Sequence, residues 1–242
     1  MNFLFVLVVG LAAGTISGIV GTGSSIMLMP VLVYQYGPQQ AVPIMAVAAV
    51  MANLSRILAW WREVEWRACA AYSVTGIPAA ALGARTLLAL PPRVVDVSIG
   101  LFLIAMVPAR HWLARHDLKL SLWHLAAGGA VVGYLTGIVV STGPLSVPLF
   151  LFYGLSKGAF LATEAASSLG LYVSKSLTFQ QFGALTGDVA LKGLIAGSSL
   201  MAGAVIARRF VLRLEPDVFR LMMDGIMLAA GIAMLFNAFV GA

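Results

Sequence analysis

The sequence predicts an all-α integral membrane protein that consists of two inverted-topology repeats with about five membrane segments each. The membrane class follows from composition, because 61% of the 242 residues are hydrophobic and 10% are charged, whereas soluble domains are roughly 45–50% apolar. The mean hydropathy of +0.98 agrees with this class. The repeat follows from a shift of 119 residues, which carries Gly10 onto Gly129 and continues without a gap as far as Arg56.

Ten apolar segments are separated by charged clusters and by Gly or Pro breaks, which predicts ten helices. Crossing a bilayer takes about 20 apolar residues. Segments two and seven have about 13 residues each, which is typical of a broken or re-entrant helix, so whether they cross fully stays open. The segments lie near residues 3–20, 24–36, 41–61, 67–89, 94–110, 121–140, 144–156, 159–182, 188–208 and 218–240.

The repeat divides the chain into an N-terminal half, residues 1–119, and a C-terminal half, residues 120–242, within one membrane domain. The matched pairs include a tyrosine, a serine and a cation inside an apolar segment, which the high glycine content does not explain. The pairs are Gly10 and Gly129, Gly14 and Gly133, Gly18 and Gly137, Tyr34 and Tyr153, Ser55 and Ser174, and Arg56 and Lys175.

The basic residues predict the number of passes in each half. The net charge of +6 lies in short connections between apolar segments, which is typical of cytoplasmic loops and not of a nucleic-acid-binding face. Five passes per half place ten of these residues on one side and Arg85 and Arg93 on the other, whereas four passes divide them five against seven. Five passes are therefore favoured. An odd number inverts the second half and places both termini of this multi-pass inner-membrane protein outside.

Two glycine-rich breaks form the predicted binding site. "GTGSS" at residues 21–25 and "STGP" at residues 141–144 each join the end of one helix to the start of a short one. At membrane depth such a break requires burial or a wet cavity, and the new helix N-terminus offers N–H groups and partial positive charge to an anion. A break capped by its own hydroxyls is the alternative. The candidate anion-binding residues are Gly21, Thr22, Gly23, Ser24, Ser25, Ser141, Thr142 and Gly143.

Other glycines have a simpler interpretation. Gly10, Gly14 and Gly18 are four residues apart, as are their mates in the second half. Glycines at this spacing share one helix face and let another backbone approach, so they predict close helix packing rather than ligand contact.

Two cations lie inside apolar segments at corresponding positions of the repeat. Arg56 occurs in "ANLSRILAWW" and Lys175 in "LYVSKSLTF". A cation at membrane depth costs a few kcal/mol unless it is paired or wet. Both are therefore candidates for the anion site, with snorkelling to the headgroups as the alternative.

Acidic residues are fewer inside the segments. Glu164 and Asp188 are candidates for coupling transport to a proton or sodium ion, and structural or interfacial pairing is the alternative for each. Asp224 is expected to pair with Arg220, one helical turn away.

The remaining chemistry-bearing residues exclude several functions. Cys69 is the single cysteine, so an intramolecular disulfide or a cysteine-rich metal site is excluded. His111, His116 and His124 lie in or beside one polar connection, which predicts a solvated loop. Without a catalytic motif at membrane depth, the sequence predicts no enzyme, no metal and no cofactor.

The two breaks, in "GIVGTGSSIMLMP" (residues 18–30) and "GIVVSTGPLSVP" (residues 137–148), resemble the sulfite exporter TauE/SafE family of anion permeases. The resemblance implies transport of sulfite, sulfoacetate or similar small organosulfur anions across the bacterial inner membrane, commonly outward. Ser24, Ser25 and residues 140–142 depart from the glycine run that the family often has. One cysteine argues against the cysteine relay of the related thiosulfate-uptake proteins.

The predicted function is a secondary transporter, and in particular an exporter, of small organosulfur anions. The anion would lie near the midplane between the two halves, and rocking of the halves would expose it to each side alternately. The alternatives are a membrane-embedded scaffold, a subunit of a larger complex, or a permease for another small anion. The partners expected are the anion, the bilayer and a coupling proton or sodium ion, and the oligomeric state stays open.

Overall fold

The described part of the chain is almost entirely α-helical and contains no strand, which confirms the all-α prediction. The computed structural model describes residues 3–20, 24–114, 119–139, 142–155 and 157–210, with residues 221, 224, 225, 228, 229, 231, 232, 235 and 236. The helices within the continuous ranges are α1 (Phe3–Val20), α2 (Ser24–Tyr36), α3 (Pro38–Trp60), α4 (Trp66–Ala89), α5 (Pro92–Ala114), α6 (Leu122–Ile138), α7 (Gly143–Phe152), α8 (Lys157–Gln181) and α9 (Gly187–Phe210), with a short 3₁₀ turn at Trp61–Glu63.

The helix boundaries agree with the predicted segments in most places. The largest correction is α7, which has 10 residues and ends at Phe152, because Gly154 takes a positive φ of 105° that stops the helix. The fifth segment is longer than predicted, because Pro92 begins α5 and the helix continues through Pro108. Most of the tenth segment, residues 218–240, lies outside the described residues.

Local sequence explains several helix starts and corrects the prediction of a histidine-bearing loop. Gly37 has a φ of 75°, and Pro38 then begins α3 at a position where its missing N–H costs nothing. His124 lies in the first turn of α6 and caps it reciprocally with Ser121. His111 lies in the last turn of α5. Both histidines are therefore helical, and His116 lies outside the described residues.

Two helical stretches within the described residues are long and apolar enough to cross a membrane. They are Gln39–Glu63, with a mean hydropathy of 1.8, and Gly187–Ile206, with a mean hydropathy of 1.7. Leu4–Ser17, Met27–Tyr36 and Leu122–Ile138 are apolar but shorter. At 1.5 Å per residue, α2 and α7 extend about 20 Å and 15 Å, less than the roughly 30 Å of the hydrocarbon core.

The helices pack around a central pair, α3 and α8. Helix α4 packs along α6 and α8, and α1 packs along α9, which also contacts α3. Glycines allow the closest of these contacts: a Cβ atom at Gly14 of α1 would collide with the backbone of Leu200, and one at Gly133 of α6 with the backbone of Gly76. This confirms the packing interpretation for these glycines. The surroundings of Gly18 lie outside the description.

Contacts between connections define two opposite ends of the helical bundle. At one end, Glu63 lies against Gly158 at the start of α8, and the N–H of Leu120 donates to the carbonyl of Phe152. At the other end, the Arg85 guanidinium lies 5.5 Å from the ring centre of Phe182. The short helices α2 and α7 terminate at opposite ends. Helix α7 ends at the first end, where Phe152 accepts from Leu120. Helix α2 ends at the second end, because the ring centre of Tyr36 lies 5.0 Å from the ammonium group of Lys192, near the start of α9.

Candidate functional site

A small polar cavity lies inside the bundle where α1, α2, α3, α7 and α8 meet. Its volume is about 30 Å³, which is room for about two water molecules. Hydroxyl, amide, guanidinium and carboxylate groups from α1, α2, α3 and α8, and from the residue before α7, contribute to its wall. The lining residues are Ser17, Ser24, Ser25, Ala49, Ala52, Asn53, Arg56, Thr142, Gly143, Glu164, Ser168 and Tyr172.

The starts of both short helices lie at this cavity. Ser24 is the first residue of α2 and Gly143 the first of α7, and both line the wall. Thr142, the residue before α7, is 4% exposed and shares a hydrogen bond with the hydroxyl of Thr136 in α6. The carbonyl of Thr142 accepts the N–H of Ser146, so α7 begins at once. Two helix N-termini with their partial positive charge therefore face the same cavity.

Arg56 and Glu164 form an ion pair across the central helices α3 and α8. Arg56 Nη1 lies 3.0 Å from Glu164 Oε2, and the two side chains are 14% and 3% exposed. Arg56 Nη2 also donates to the side-chain oxygen of Asn53, one turn earlier on α3. The Asn53 amide nitrogen in turn donates to the carbonyl of Ala49 over 2.8 Å, which fixes its orientation. A guanidinium held this way presents a planar set of donors to the cavity.

The second oxygen of Glu164 accepts two hydroxyl groups. Ser168 donates to Glu164 Oε1 over 2.8 Å from the next turn of α8, and Ser146 of α7 donates over 3.0 Å. Both serines are buried. Burying a carboxylate is unfavourable unless it is paired and hydrogen-bonded, and here three donors on three helices meet that requirement.

Lys175 lies elsewhere and has a different environment. Its side chain is fully buried, with 1% exposure. The ammonium nitrogen donates to the carbonyls of Thr136 and Val139 at 2.7 Å and 2.8 Å. The last carbonyls of a helix lack partners within the helix, so Lys175 binds the C-terminal end of α6. Burial excludes snorkelling for this residue.

The predicted site residues therefore separate into three groups. Ser24, Ser25, Arg56, Thr142, Gly143 and Glu164 come together in the cavity wall. Lys175 is bound to α6, and the side chain of Asp188, 68% exposed, pairs with Lys192 at the start of α9. Gly21, Thr22, Gly23 and Ser141 lie outside the described residues.

Asp224 lies beside a histidine of α5. His111 Nε2 lies 3.5 Å from Asp224 Oδ2. Arg220, the predicted partner, lies outside the described residues.

Several residues at the site were not predicted from the sequence. Asn53 precedes Arg56 by three residues, and Ser168 follows Glu164 by four, so each pair shares a helix face. Polar residues at helical spacing from a buried charge were the available signal. Ser17 and Tyr172, which also line the cavity, and Ser146, which donates to Glu164, gave none, because their place at the site depends on packing between helices.

A buried polar cavity at the starts of two interrupted helices is typical of secondary transporters. The chain matches the sulfite exporter TauE/SafE family over residues 6–234 and belongs to it. It is also 28% identical, over 191 residues, to a protein from Sinorhizobium fredii described as "Probable membrane transporter protein y4hK"; the match covers 72% of this chain and 73% of that protein. No solved structure matches the chain. Family and relative identify a membrane transporter, as the sequence predicted.

Proposed function

We propose that this protein is a secondary transporter that exports small organosulfur anions, such as sulfite or short sulfonates, across the cell inner membrane. The observation that carries this proposal is the cavity, which brings together the starts of α2 and α7 and the guanidinium of Arg56. Guanidinium, hydroxyl and backbone N–H groups are the donors that recognise an oxoanion. The family's description supplies the substrate class.

Helix boundaries support the proposal of two repeats. A shift of 119 residues brings the described ranges of α1, α2 and α3 onto those of α6, α7 and α8, in the same order of a long helix, a short helix and a long helix. Helix α4 starts at residue 66 and α9 at residue 187, a shift of 121. The packing follows the same correspondence, because α1 lies on α9 and its counterpart α6 lies on α4.

The cavity is at the centre of this correspondence. Three pairs of its lining residues are 119 positions apart: Ser24 and Gly143, Ala49 and Ser168, and Asn53 and Tyr172. From there α2 and α7 run to opposite ends of the bundle, which supports inversion of one half relative to the other. Movement of one half against the other would then open the cavity to each side alternately.

Flux measurements test the function. Purified protein in liposomes should release trapped labelled sulfite and a labelled short sulfonate faster than liposomes that lack protein. Arg56→Gln should abolish most of the added flux, and Arg62→Gln, the same change at an exposed arginine, should leave it intact. Absence of anion flux from folded, oriented wild-type protein would contradict the proposal and favour a scaffold or subunit.

Labelling tests the proposed orientation. In a Cys69→Ser background, a membrane-impermeant thiol reagent outside the cell should label a cysteine at Gly183 and not one at Arg62, because these positions lie at opposite ends of the bundle. Labelling of the Arg62 position alone would reverse the proposed orientation, with the termini inside.

A further inference from the structure

We infer that anion binding is coupled to protonation of Glu164, whose carboxylate holds Arg56 until the anion displaces it. This inference rests on the proposed function and specifies which ion accompanies the anion. Its basis is geometric: one carboxylate and one incoming anion require the same donors in the same small space.

The donors around Glu164 form the set that an oxoanion would use. Arg56 Nη1 is 3.0 Å from Oε2, and the hydroxyls of Ser168 and Ser146 are 2.8 Å and 3.0 Å from Oε1. These donors come from α3, α8 and α7, so three helices converge on one negative group. Glu164 is therefore a tethered anion at the cavity wall.

The cavity has too little room for a sulfonate while the Glu164 carboxylate stays in place. The volume of about 30 Å³ has room for about two water molecules, whereas a sulfonate head contains four heavy atoms. Withdrawal of the Glu164 carboxylate enlarges the cavity on the side that faces Arg56. The guanidinium can then bind the sulfonate oxygens in place of the carboxylate oxygen.

The charges at the site explain why a proton is taken up when the anion binds. Among the described lining residues, Arg56 is the one cation and Glu164 the one carboxylate. A bound anion beside an ionised Glu164 would place two negative charges against one guanidinium in a buried site, which favours the neutral acid. In this step the Arg56–carboxylate ion pair breaks, an Arg56–sulfonate ion pair forms, and Glu164 takes one proton from water.

Other titratable groups around Glu164 are already engaged or uncharged. Lys175 of α8 donates to the end of α6, and Glu65 at the start of α4 caps that helix through the N–H of Ala68. Tyr72 of α4 lies near the carboxyl group, and Tyr172 of α8 lines the same cavity; both are phenols, which are weak acids and not bases. Glu63 lies exposed near the start of α8. Glu164 is thus the acceptor for the proton.

The coupling changes what drives transport. A monoanion that travels with one proton carries no net charge, so the membrane potential does not act on the loaded site. Export then follows the outward gradient of the substrate and is opposed by an inward proton gradient.

Calorimetry measures the coupling directly. Methanesulfonate stays ionised between pH 5.5 and 8.5, so any proton taken up on binding belongs to the protein. Titration in two buffers of different ionisation enthalpy should give one proton taken up per anion bound at the upper end of this range. There the dissociation constant should rise about tenfold per pH unit.

Variants assign the proton to Glu164. Glu164→Gln should bind methanesulfonate without proton uptake and with an affinity that does not depend on pH. Glu164→Asp should restore both, and Asp188→Asn, a change at an exposed carboxylate, should behave like the wild type. If Glu164→Gln does not fold, the proton count of the wild type and the Glu164→Asp protein decides.

The outcomes separate the two proposals. Binding of methanesulfonate without proton uptake, or proton uptake that persists in Glu164→Gln, overturns the coupling and leaves the anion transporter intact. Failure of the folded wild type to bind either methanesulfonate or sulfite overturns the proposed substrate class, and the coupling with it.

Discussion

Arg56 and Lys175 are both cations within the central helices, yet their surroundings differ. Arg56 pairs with the carboxylate of Glu164 and lines the cavity, whereas Lys175 donates to two carbonyls at the end of α6. The 119-residue correspondence explains the difference, because the counterpart of Glu164 is Met45, which is buried and offers no carboxylate. Two cations at corresponding positions of the repeat therefore have different roles. Arg56 can exchange its carboxylate partner for another anion, whereas Lys175 fixes the C-terminal end of α6.

Arg56→Gln should have the largest effect, because it removes the cavity's cation and leaves Glu164 buried without an ion pair. Breaking a buried pair on one side costs about 3–5 kcal/mol of stability, and loss of a charge-assisted bond should weaken anion binding about 10- to 100-fold. Thermal unfolding in detergent and sulfonate titration measure the two effects.

A double variant separates these contributions. Arg56→Gln combined with Glu164→Gln removes the orphan carboxylate, so stability should recover while binding stays weak. Arg62→Gln is the matched control. Wild-type affinity in folded Arg56→Gln protein would remove Arg56 from the binding site.

Lys175→Met should reduce stability more than it reduces binding. The methionine fills the space but leaves the carbonyls of Thr136 and Val139 without their donor, at about 1–3 kcal/mol for each buried group. Binding should weaken less than in Arg56→Gln. Lys192→Met, at the ion pair with Asp188 near the start of α9, is the control, and a selective loss of binding with unchanged thermal stability would place Lys175 at the anion.

Ser168→Ala should have a smaller effect, about 1 kcal/mol, because Glu164 keeps Arg56 and Ser146 as donors. The hydroxyl of Ser168 is also one of the donors that the anion would use, so its loss should weaken anion binding, by less than the loss of Arg56. Ser167→Ala is closely matched, since this neighbouring buried serine donates to the carbonyl of Thr163. Equal affinities in both variants would show that the hydroxyl of Ser168 does not bind the anion.

Asp188→Asn should have the smallest effect. Its side chain is 68% exposed, and an exposed ion pair contributes about 0–1 kcal/mol. Flux and its pH dependence should match the wild type. A loss of pH dependence would transfer the coupling role from Glu164 to Asp188.

Much of the fold was readable from sequence because the signals are local. Apolar length, Gly and Pro breaks, and glycine spacing predicted the helices, the short α2 and α7, and the close packing at Gly14 and Gly133. The early end of α7 depends on the conformation of Gly154, which sequence alone leaves open.

The site was only partly readable, because its chemistry depends on contacts between distant segments. Arg56 and Glu164 are 108 residues apart, and no local pattern joins them. Matching positions suggested equal roles for Arg56 and Lys175, but a residue's role also depends on its partners, which differ between the halves. Ser24 and Gly143 were identified because a helix start is a local feature.

A structure of the protein with bound bromomethanesulfonate tests the central claim most directly, since bromine identifies the anion by anomalous scattering. The account predicts a sulfonate oxygen about 2.7–2.9 Å from the Arg56 guanidinium, between the starts of α2 and α7, with the Glu164 carboxylate withdrawn. An anion bound at Lys175, or elsewhere with the Arg56–Glu164 pair intact, would contradict it.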